Sequence, residues 1–280
     1  ALPTPDISYY NYDSFYCTDS SGNVKYDAAS FYLCECGDTL VGNGSGSVQG
    51  RPAAQAGIPA TLCSDNFVIA RSEIANISFT LSNSDKFMRF EETNLTTVAL
   101  TNSTVSDFSV IRDSKAKDLF LLENTLTGGV SIRGASRLTI AQNQFEDFAE
   151  FVGTNINLEL NEFSGQTTIT SNNLQTQLIY NNNFTAETFI YGSWMELKNN
   201  RFDDILYVID ASQVDLDSNT IAGETRYSGD NFYIANNEFL KLKFVELSSS
   251  TTSSQSGLVN NTIDTLDFSD TWLNQHSSLD

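Results

Sequence analysis

The stretch that decides the fold is LTIAQNQF at residues 138–145, because variants of it return along the chain. Residues 156–163 are INLELNEF, and residues 195–202 are MELKNNRF. In each copy apolar and polar residues alternate, an Asn follows, and a Phe stands two positions after that Asn. Alternation with a period of two is typical of a strand with one buried face, and its recurrence indicates a repeat protein.

The copies return every 18 to 24 residues from residue 105 onward, counted between the apolar anchors that stand two positions after the Asn. The residue five positions before the anchor is aliphatic in all ten copies: Ile69, Leu100, Leu121, Ile140, Leu158, Ile179, Leu197, Leu216, Ile234 and Leu258. About twenty residues are too few to enclose a core, so the copies must stack on one another. We therefore predict an all-β fold, a single-stranded parallel β-helix of about ten coils with three short strands per coil.

The first copies are irregular. The anchors Ile74 and Val105 lie 31 residues apart, so either a loop protrudes around Asn83–Glu92 or a degenerate coil occupies the gap. In this alignment Ile69 shares a column with Leu100. The other strands of each coil are expected to bury further apolar pairs. These pairs are Val130/Ile132, Phe148/Phe151, Phe189/Tyr191 and Leu242/Phe244.

The Asn of the repeat forms a column of its own: Asn124, Asn143, Asn161, Asn182, Asn200, Asn219, Asn237 and Asn261. A sharp bend between strands needs a residue that tolerates a left-handed backbone, and Asn does so. When coils stack, each side-chain amide can also hydrogen-bond to the amide of the next coil. We predict an internal Asn ladder with a structural role.

This pattern resembles the right-handed parallel β-helix proteins of the pectate-lyase-like superfamily, over about residues 64–270. The resemblance rests on the repeat and not on a catalytic motif. The Gly-His-Gly and Arg-x-Lys of polygalacturonases and the Arg-x-Pro-x-x-Arg of pectate lyases are absent from the sequence. The resemblance therefore implies a right-handed coil, and it implies polysaccharide-lyase activity only as an alternative.

Residues 1–63 lack the repeat and carry all four cysteines: Cys17, Cys34, Cys36 and Cys63. An even number of clustered cysteines favours two disulfides, in any of three pairings, over a Cys-x-Cys metal site with no nearby His. We predict a Cys/Tyr-rich, disulfide-tied cap or docking segment at residues 1–63, the β-helix at 64–270 and a C-terminal tail or cap at 271–280. Since a β-helix exposes strand edges at both ends, we also expect a homo-oligomer or filament that forms through the ends or the N-terminal segment.

The chain is strongly acidic, with 35 Asp and Glu against 15 Lys and Arg, a net charge of −20. Such a charge disfavours binding to nucleic acid and to anionic membrane surfaces. No run of 18 apolar residues occurs, so no membrane span is predicted. The single histidine, His276, argues against most zinc sites and against Ser–His catalysis.

The sequence predicts a secreted glycoprotein. The chain begins at Ala1 without a charged and apolar leader, as a processed chain would. The clustered cysteines favour an oxidising compartment. Six Asn-x-Ser/Thr sequons offer attachment points for glycans: Asn43, Asn76, Asn94, Asn102, Asn183 and Asn260.

The repeat also aligns one group of charged residues. Lys198 and Asp217 fall at the same register on successive coils, next to Glu196 and Asp215. A calcium-assisted lyase needs a base beside acidic residues, so these four are the weak catalytic candidates, although exposed ion pairs across strands have the same pattern. We favour the ion pairs and predict no metal site and no cofactor; calcium enters only with the lyase alternative.

Together these observations predict a structural or adhesive protein, a rigid β-helical rod in an extracellular appendage, filament, wall or matrix that associates with copies of itself. The alternatives are a calcium-assisted polysaccharide lyase and a β-helix that binds carbohydrate without cleaving it.

Overall fold

The structure is a computed structural model, and it describes residues 15–18, 24–25, 39–43, 47–48, 66–70, 73–79, 84–91, 94–111, 114–171, 176–247 and 257–270. Within these ranges the chain forms 25 strands and no α-helix. Among the described residues the fold is a parallel β-solenoid of about eight turns, which confirms the predicted all-β parallel β-helix. The number of ten coils is not confirmed. The chain divides into two compact units, residues 1–139 and 140–280, which are described separately below.

The strands of the first unit are β1 (Phe15–Thr18), β2 (Val24–Lys25), β3 (Thr39–Asn43), β4 (Ser47–Val48), β5 (Asn66–Ala70), β6 (Glu73–Phe79), β7 (Ser84–Glu91), β8 (Asn94–Thr101), β9 (Thr104–Ile111), β10 (Lys115–Leu122) and β11 (Thr125–Leu126). Strand β12 spans Val130–Ala141.

The strands of the second unit are β13 (Gln144–Phe145), β14 (Ala149–Glu159), β15 (Glu162–Phe163), β16 (Thr167–Ser171), β17 (Gln177–Tyr180), β18 (Asn183–Phe184), β19 (Thr188–Lys198), β20 (Arg201–Phe202), β21 (Leu206–Asp217), β22 (Thr220–Ala235), β23 (Glu238–Leu247), β24 (Gly257–Val259) and β25 (Thr262–Asp270).

In the first unit, the 31-residue gap holds a coil and not a protruding loop. Strand β7 lies in the gap and pairs in parallel with β5 and with β9. Ile69 consequently pairs with Phe90, and not with Leu100 as predicted. On the preceding coil the neighbour of Leu100 is Phe79, and the proposed anchor Ile74 pairs with Leu95. On the following coil Leu100 pairs with Leu121, as predicted. The alignment failed here because the degenerate coil carries Ser84, and no apolar residue, opposite Val105.

At the N-terminal end of the first unit, β3 and β4 pair in parallel with β5 and β6. Strand β1 instead pairs antiparallel with both β2 and β3. Cys17 lies in β1, while the other three cysteines, and with them the predicted disulfides, lie outside the described residues. The domain boundaries predicted at residues 63 and 270 are not tested by the structure and stay predictions.

In the second unit, the aliphatic column predicted from the repeat is confirmed. Leu158 pairs with Ile179, Ile179 with Leu197, and Leu197 with Leu216, so the four occupy successive coils in one register. All four side chains are 0% exposed. A coil contains three strands, for example β17, β18 and the first part of β19.

The predicted apolar pairs of the other strands are confirmed in part. Val130 and Ile132 in the first unit, and Leu242 and Phe244 in the second, are fully buried. Phe151 is buried as predicted, but Phe148 is 47% exposed. The pair Phe189/Tyr191 was also wrong, because Thr188 and Ile190 are the buried residues of that strand: Phe189 and Tyr191 lie on its outer face.

The Asn ladder runs through the second unit from Asn143 to Asn261. Each Asn Nδ2 donates to the Oδ1 of the Asn in the next coil, at distances between 2.9 and 3.1 Å over six successive bonds. The same Oδ1 atoms accept the backbone N–H of the preceding ladder Asn. In the first unit, Asn124 Oδ1 accepts the Ser103 N–H at 3.0 Å, and Asn124 Nδ2 donates to the Leu100 carbonyl at 2.8 Å.

The sequence pattern predicts that the ladder Asn adopts the left-handed backbone conformation of each bend. In the structure the residue before the ladder position adopts it instead. These residues are Asn102, Glu123, Gln142, Leu160, Asn181, Asn199, Ser218, Asn236 and Asn260, with φ between 47° and 58°. The ladder position thus uses Asn for its amide, and the tolerance of positive φ is needed one position earlier.

A ring stack accompanies the ladder in the second unit. Phe145, Phe163, Phe184 and Phe202 stack with centroids 4.6, 4.7 and 4.8 Å apart and planes within 8° of parallel. These distances match the spacing of neighbouring strands, about 4.8 Å, because each coil contributes one ring.

No helix that could span a membrane occurs among the described residues.

Candidate functional site

The charged group predicted from the repeat lies on one outer face of the second unit. Lys198 pairs with Asp217, as the alignment predicted, and Tyr180 of the preceding coil pairs with Lys198. Glu196 pairs with Asp215 in the neighbouring outward column of the same strands. The period-two pattern places both columns outward because the residues between them face the core.

Lys198 holds this group together. Its Nζ lies 3.1 Å from Glu196 Oε2 and 3.6 Å from Asp215 Oδ2, and the three side chains are each between 34% and 38% exposed. Asp217 contacts other partners, because its Oδ1 accepts hydrogen bonds from Asn236 Nδ2 at 2.9 Å and from Ser218 Oγ at 3.1 Å. The structure therefore brings three of the four candidates into direct contact.

The protonation equilibria follow from these contacts. The hydrogen bond to Glu196 raises the pKa of the Lys198 amine, and attraction to Asp215 adds to that rise, while partial burial opposes it. Burial raises the pKa of the Asp215 carboxyl, against the opposing effect of Lys198. The hydrogen bond that Tyr180 donates to Glu159, at 2.7 Å, raises the pKa of the Tyr180 hydroxyl.

A proton-abstracting base must lose its own proton near the working pH. The raised pKa values keep Lys198 and Tyr180 protonated, and two carboxylates already neutralise the ammonium of Lys198. These groups are suited to hold strands of successive coils together as ion pairs and hydrogen bonds. They are poorly suited to take a proton from a sugar.

The carboxylates that could ligate calcium are engaged locally. Asp203 Oδ1 binds Arg201 Nε at 2.7 Å, and Asp204 Oδ1 accepts the Ile205 N–H at 2.8 Å. Asp147 Oδ1 accepts the Phe148 N–H at 2.8 Å. Among the residues that the structure describes, no group of three or more His, Cys, Asp or Glu is placed to hold a metal ion.

The sequons differ in accessibility. Asn94, Asn102 and Asn260 are exposed, and the last two occupy left-handed bend positions. Asn183 is partly buried, and its Oδ1 is shielded from solvent without a hydrogen-bond partner. Asn43 and Asn76 lie in β3 and β6, where only the backbone is described.

One feature of the outer surface was missed by sequence reasoning. Between the inward residues Ile190 and Met195, the chain turns a corner at which Trp194 adopts φ 58°. Trp194 is 38% exposed. Bulky residues seldom adopt positive φ, so no sequence preference predicts Trp at such a position. The only signal in the sequence was that Trp194 directly precedes the inward Met195 of the repeat.

Comparisons with protein-family models, with curated proteins and with solved structures found no match for this chain. The contacts, burial and charge of the chain itself therefore carry the functional proposals.

Proposed function

We propose that this chain is a secreted glycoprotein with a structural or adhesive role, a self-associating β-helical component of an extracellular appendage, filament, wall or matrix. The observation that carries the proposal is the continuous bonding between coils in the second unit. Successive coils share a backbone ladder, an amide ladder of six side-chain bonds and a stack of four Phe rings. A force applied between coils would be divided among all of these contacts.

The charged face supports a structural role over the lyase alternative. Lys198 is paired with two carboxylates and its pKa is raised, which opposes action as a base. The net charge of −20 would also repel an anionic polysaccharide. Incubation with polyuronates, with and without calcium, should give no ultraviolet absorbance from unsaturated products. Activity that disappears in Lys198→Ala would replace this proposal with the lyase.

The exposed sequons support secretion and glycosylation. A glycan on Asn94, Asn102 or Asn260 would project into solvent, whereas one on Asn183 would have to displace packed neighbours. Expression in a eukaryotic secretory host followed by glycopeptide mapping should find glycans at the first three positions. A secreted, folded chain without glycan at any of the three would contradict the glycoprotein part of the proposal.

The deciding experiment is localisation in the source organism. Antibodies raised against the recombinant chain should label extracellular structures on intact, unpermeabilised cells in electron microscopy. Labelling that requires permeabilisation would contradict the proposal, as would native material that consists only of dispersed, unglycosylated monomers.

A further inference from the structure

The corner at Trp194 continues on the next coil. Register pairs Ser193 with Ser212, and Met195 with Val214, so Trp194 lies beside Gln213. Ser212 Oγ donates to Ser193 Oγ at 2.8 Å, which joins the two corners. We call this surface the Trp194 corner; it comprises residues 192–194 and 210–213, with Thr176 on the preceding coil.

The backbone of the Trp194 corner is unusually rich in left-handed residues. Gly192 has φ 117°, Trp194 58°, Asp210 51° and Gln213 60°. Three of the four are not glycine, and each such residue costs free energy in this conformation. At the ladder bends, Asn occupies the left-handed position in five of nine cases, because Asn adopts this conformation at a lower cost in free energy. Backbone preference therefore does not explain a Trp at position 194.

Packing accounts for Trp194 only in part. Trp194 keeps 38% of its residue surface exposed, while the core beneath it is filled by Met195, which is 1% exposed. A large aromatic residue that stays partly exposed, at a backbone conformation that does not favour it, is most simply explained by a contact outside the chain. Strained residues of this kind cluster at binding sites.

The surroundings define the chemistry of that contact. Gln177 pairs with Met195, which places Thr176 beside Trp194 on one side, as Gln213 lies on the other. Thr176, Trp194 and Gln213 are all exposed. An indole flanked by a primary amide on one coil and a hydroxyl on the other offers an apolar platform with neutral donors and acceptors. This combination suits a sugar ring, whose C–H face is apolar and whose edge carries hydroxyls.

We propose that the Trp194 corner binds a neutral oligosaccharide. The indole stacks on one sugar ring, and Thr176 and Gln213 hydrogen-bond to hydroxyls of that ring and its neighbours, since coils repeat at about 4.8 Å. Asp210 accepts a hydrogen bond from a further hydroxyl, and its charge, with the net charge of −20, excludes uronates. The inference rests on the proposed adhesive function and names the ligand class for it.

The test compares Trp194→Asn with the wild-type chain and with Tyr233→Asn. Tyr233 is a matched control because it is also exposed and aromatic, and it lies in the outward column of Asp215. Each protein is applied to an array of neutral β-glucan, xylan and mannan oligosaccharides and of oligouronates, and hits are titrated. Trp194→Asn should lose at least about tenfold in affinity, while Tyr233→Asn binds like the wild type. Trp194→Phe should retain intermediate affinity.

Stability measurements separate binding from folding. Because Asn is better suited than Trp to positive φ, Trp194→Asn should melt at the wild-type temperature or above it. In a Trp272→Phe background, Trp194 is the only indole, and its fluorescence should change on addition of the neutral ligand.

Three results would overturn the proposal: a wild-type chain that binds no array glycan, binding restricted to uronates, or unchanged affinity in Trp194→Asn. Extracellular antibody labelling does not depend on this corner. If labelling persists while glycan binding fails, only the glycan site is rejected; capture of a protein partner lost in Trp194→Asn would reassign the corner to that partner.

Discussion

At the scale of single residues, the ladder shows how Asn can be buried without leaving polar groups unpaired. Asn200 Oδ1 accepts the backbone N–H of Asn182 at 3.0 Å and its Nδ2 at 3.1 Å. Asn200 Nδ2 donates to the Ile179 carbonyl at 2.7 Å and to Asn219 Oδ1 at 3.1 Å. A buried amide so fully bonded contributes to stability, whereas losing one member leaves its partners desolvated and unpaired.

We expect Asn200→Ala to lower the free energy of unfolding by about 2–4 kcal/mol, since it removes four hydrogen bonds and leaves a buried backbone N–H without an acceptor. Urea unfolding followed by circular dichroism measures the change. Asn199→Gly is the matched control: Asn199 is exposed with φ 54°, and glycine adopts that conformation freely. Equal losses in the two variants would show that the amide ladder contributes nothing.

A second prediction concerns pH. Glu224 Oε2 binds Lys241 Nζ at 2.7 Å, and Glu224 Oε1 binds Arg226. The hydrogen bonds from Lys241 and Arg226 lower the pKa of the Glu224 carboxyl from its ordinary 4.5. A carboxyl with a lowered folded-state pKa stabilises the protein above its unfolded-state pKa, and that stabilisation is lost as the pH falls through the folded-state pKa.

Glu224→Gln should therefore lower the free energy of unfolding at pH 7 by about 0.5–1 kcal/mol, a modest amount because both cations are partly exposed. The difference from the wild type should shrink as the pH is lowered below 4.5, in urea titrations at a series of pH values. Glu238→Gln, at an exposed carboxylate, serves as the control. If the difference in the free energy of unfolding instead grew on acidification, the pKa of Glu224 would not be lowered in the folded protein.

At the scale of elements, the first strand of each coil was predictable and the others only in part. In residues 156–159 and 195–198, apolar and polar residues alternate cleanly, so only one face can be buried. In β19 the buried residue is Thr188, and Phe189 lies outside, where it stacks on Tyr207 at 4.5 Å. Because this strand has apolar residues on both faces, the sequence pattern does not determine which face is inward. The larger side chains, Phe189 and Tyr191, led to the wrong face being predicted as buried.

The inward ring stack leads to a prediction for the short strands. Phe184 is 0% exposed and lies between Phe163 and Phe202, at 4.7 and 4.8 Å. Phe184→Ala should cost about 3–5 kcal/mol, because it removes a buried ring and leaves a cavity between two others. The same substitution at the exposed Phe148 should cost less than about 1 kcal/mol. Thermal unfolding by calorimetry compares the two; similar losses would contradict the burial that distinguishes them.

At the scale of the whole molecule, the repeat predicted the architecture because its period records how often the chain returns to the same column. The sequence pattern did not reveal the coil in the 31-residue gap, because Ser84 stands where an apolar anchor is expected. The charged group around Lys198 was predictable, since strand register alone brings its members together. The Trp194 corner was not predictable from the sequence. It depends on left-handed backbone angles and on a bulge between strands, and the period of the repeat contains no information on either.

The described chain ends on a coil whose inward column is open. Leu266 pairs with the fully buried Leu242, yet it is itself 42% exposed. Among the strands that the structure describes, β25 pairs only with β23. An apolar column next to a strand edge is a surface on which another chain can stack. Acidic residues at Asp264 and Asp267 oppose that contact between copies, as does the net charge of −20.

Self-association should therefore increase with salt. At about 0.01 M ionic strength the Debye length is about 30 Å and repulsion keeps the copies apart, whereas at about 1 M it falls to about 3 Å and apolar contact prevails. Sedimentation velocity should show a weight-average sedimentation coefficient that rises between these conditions. Leu266→Asp should abolish the rise, and Leu240→Asp, at an exposed leucine on the preceding coil, should leave it intact. Association that weakens with salt, or that ignores Leu266→Asp, would place the contact between copies elsewhere on the chain, because neither result is compatible with stacking on the open column of β25.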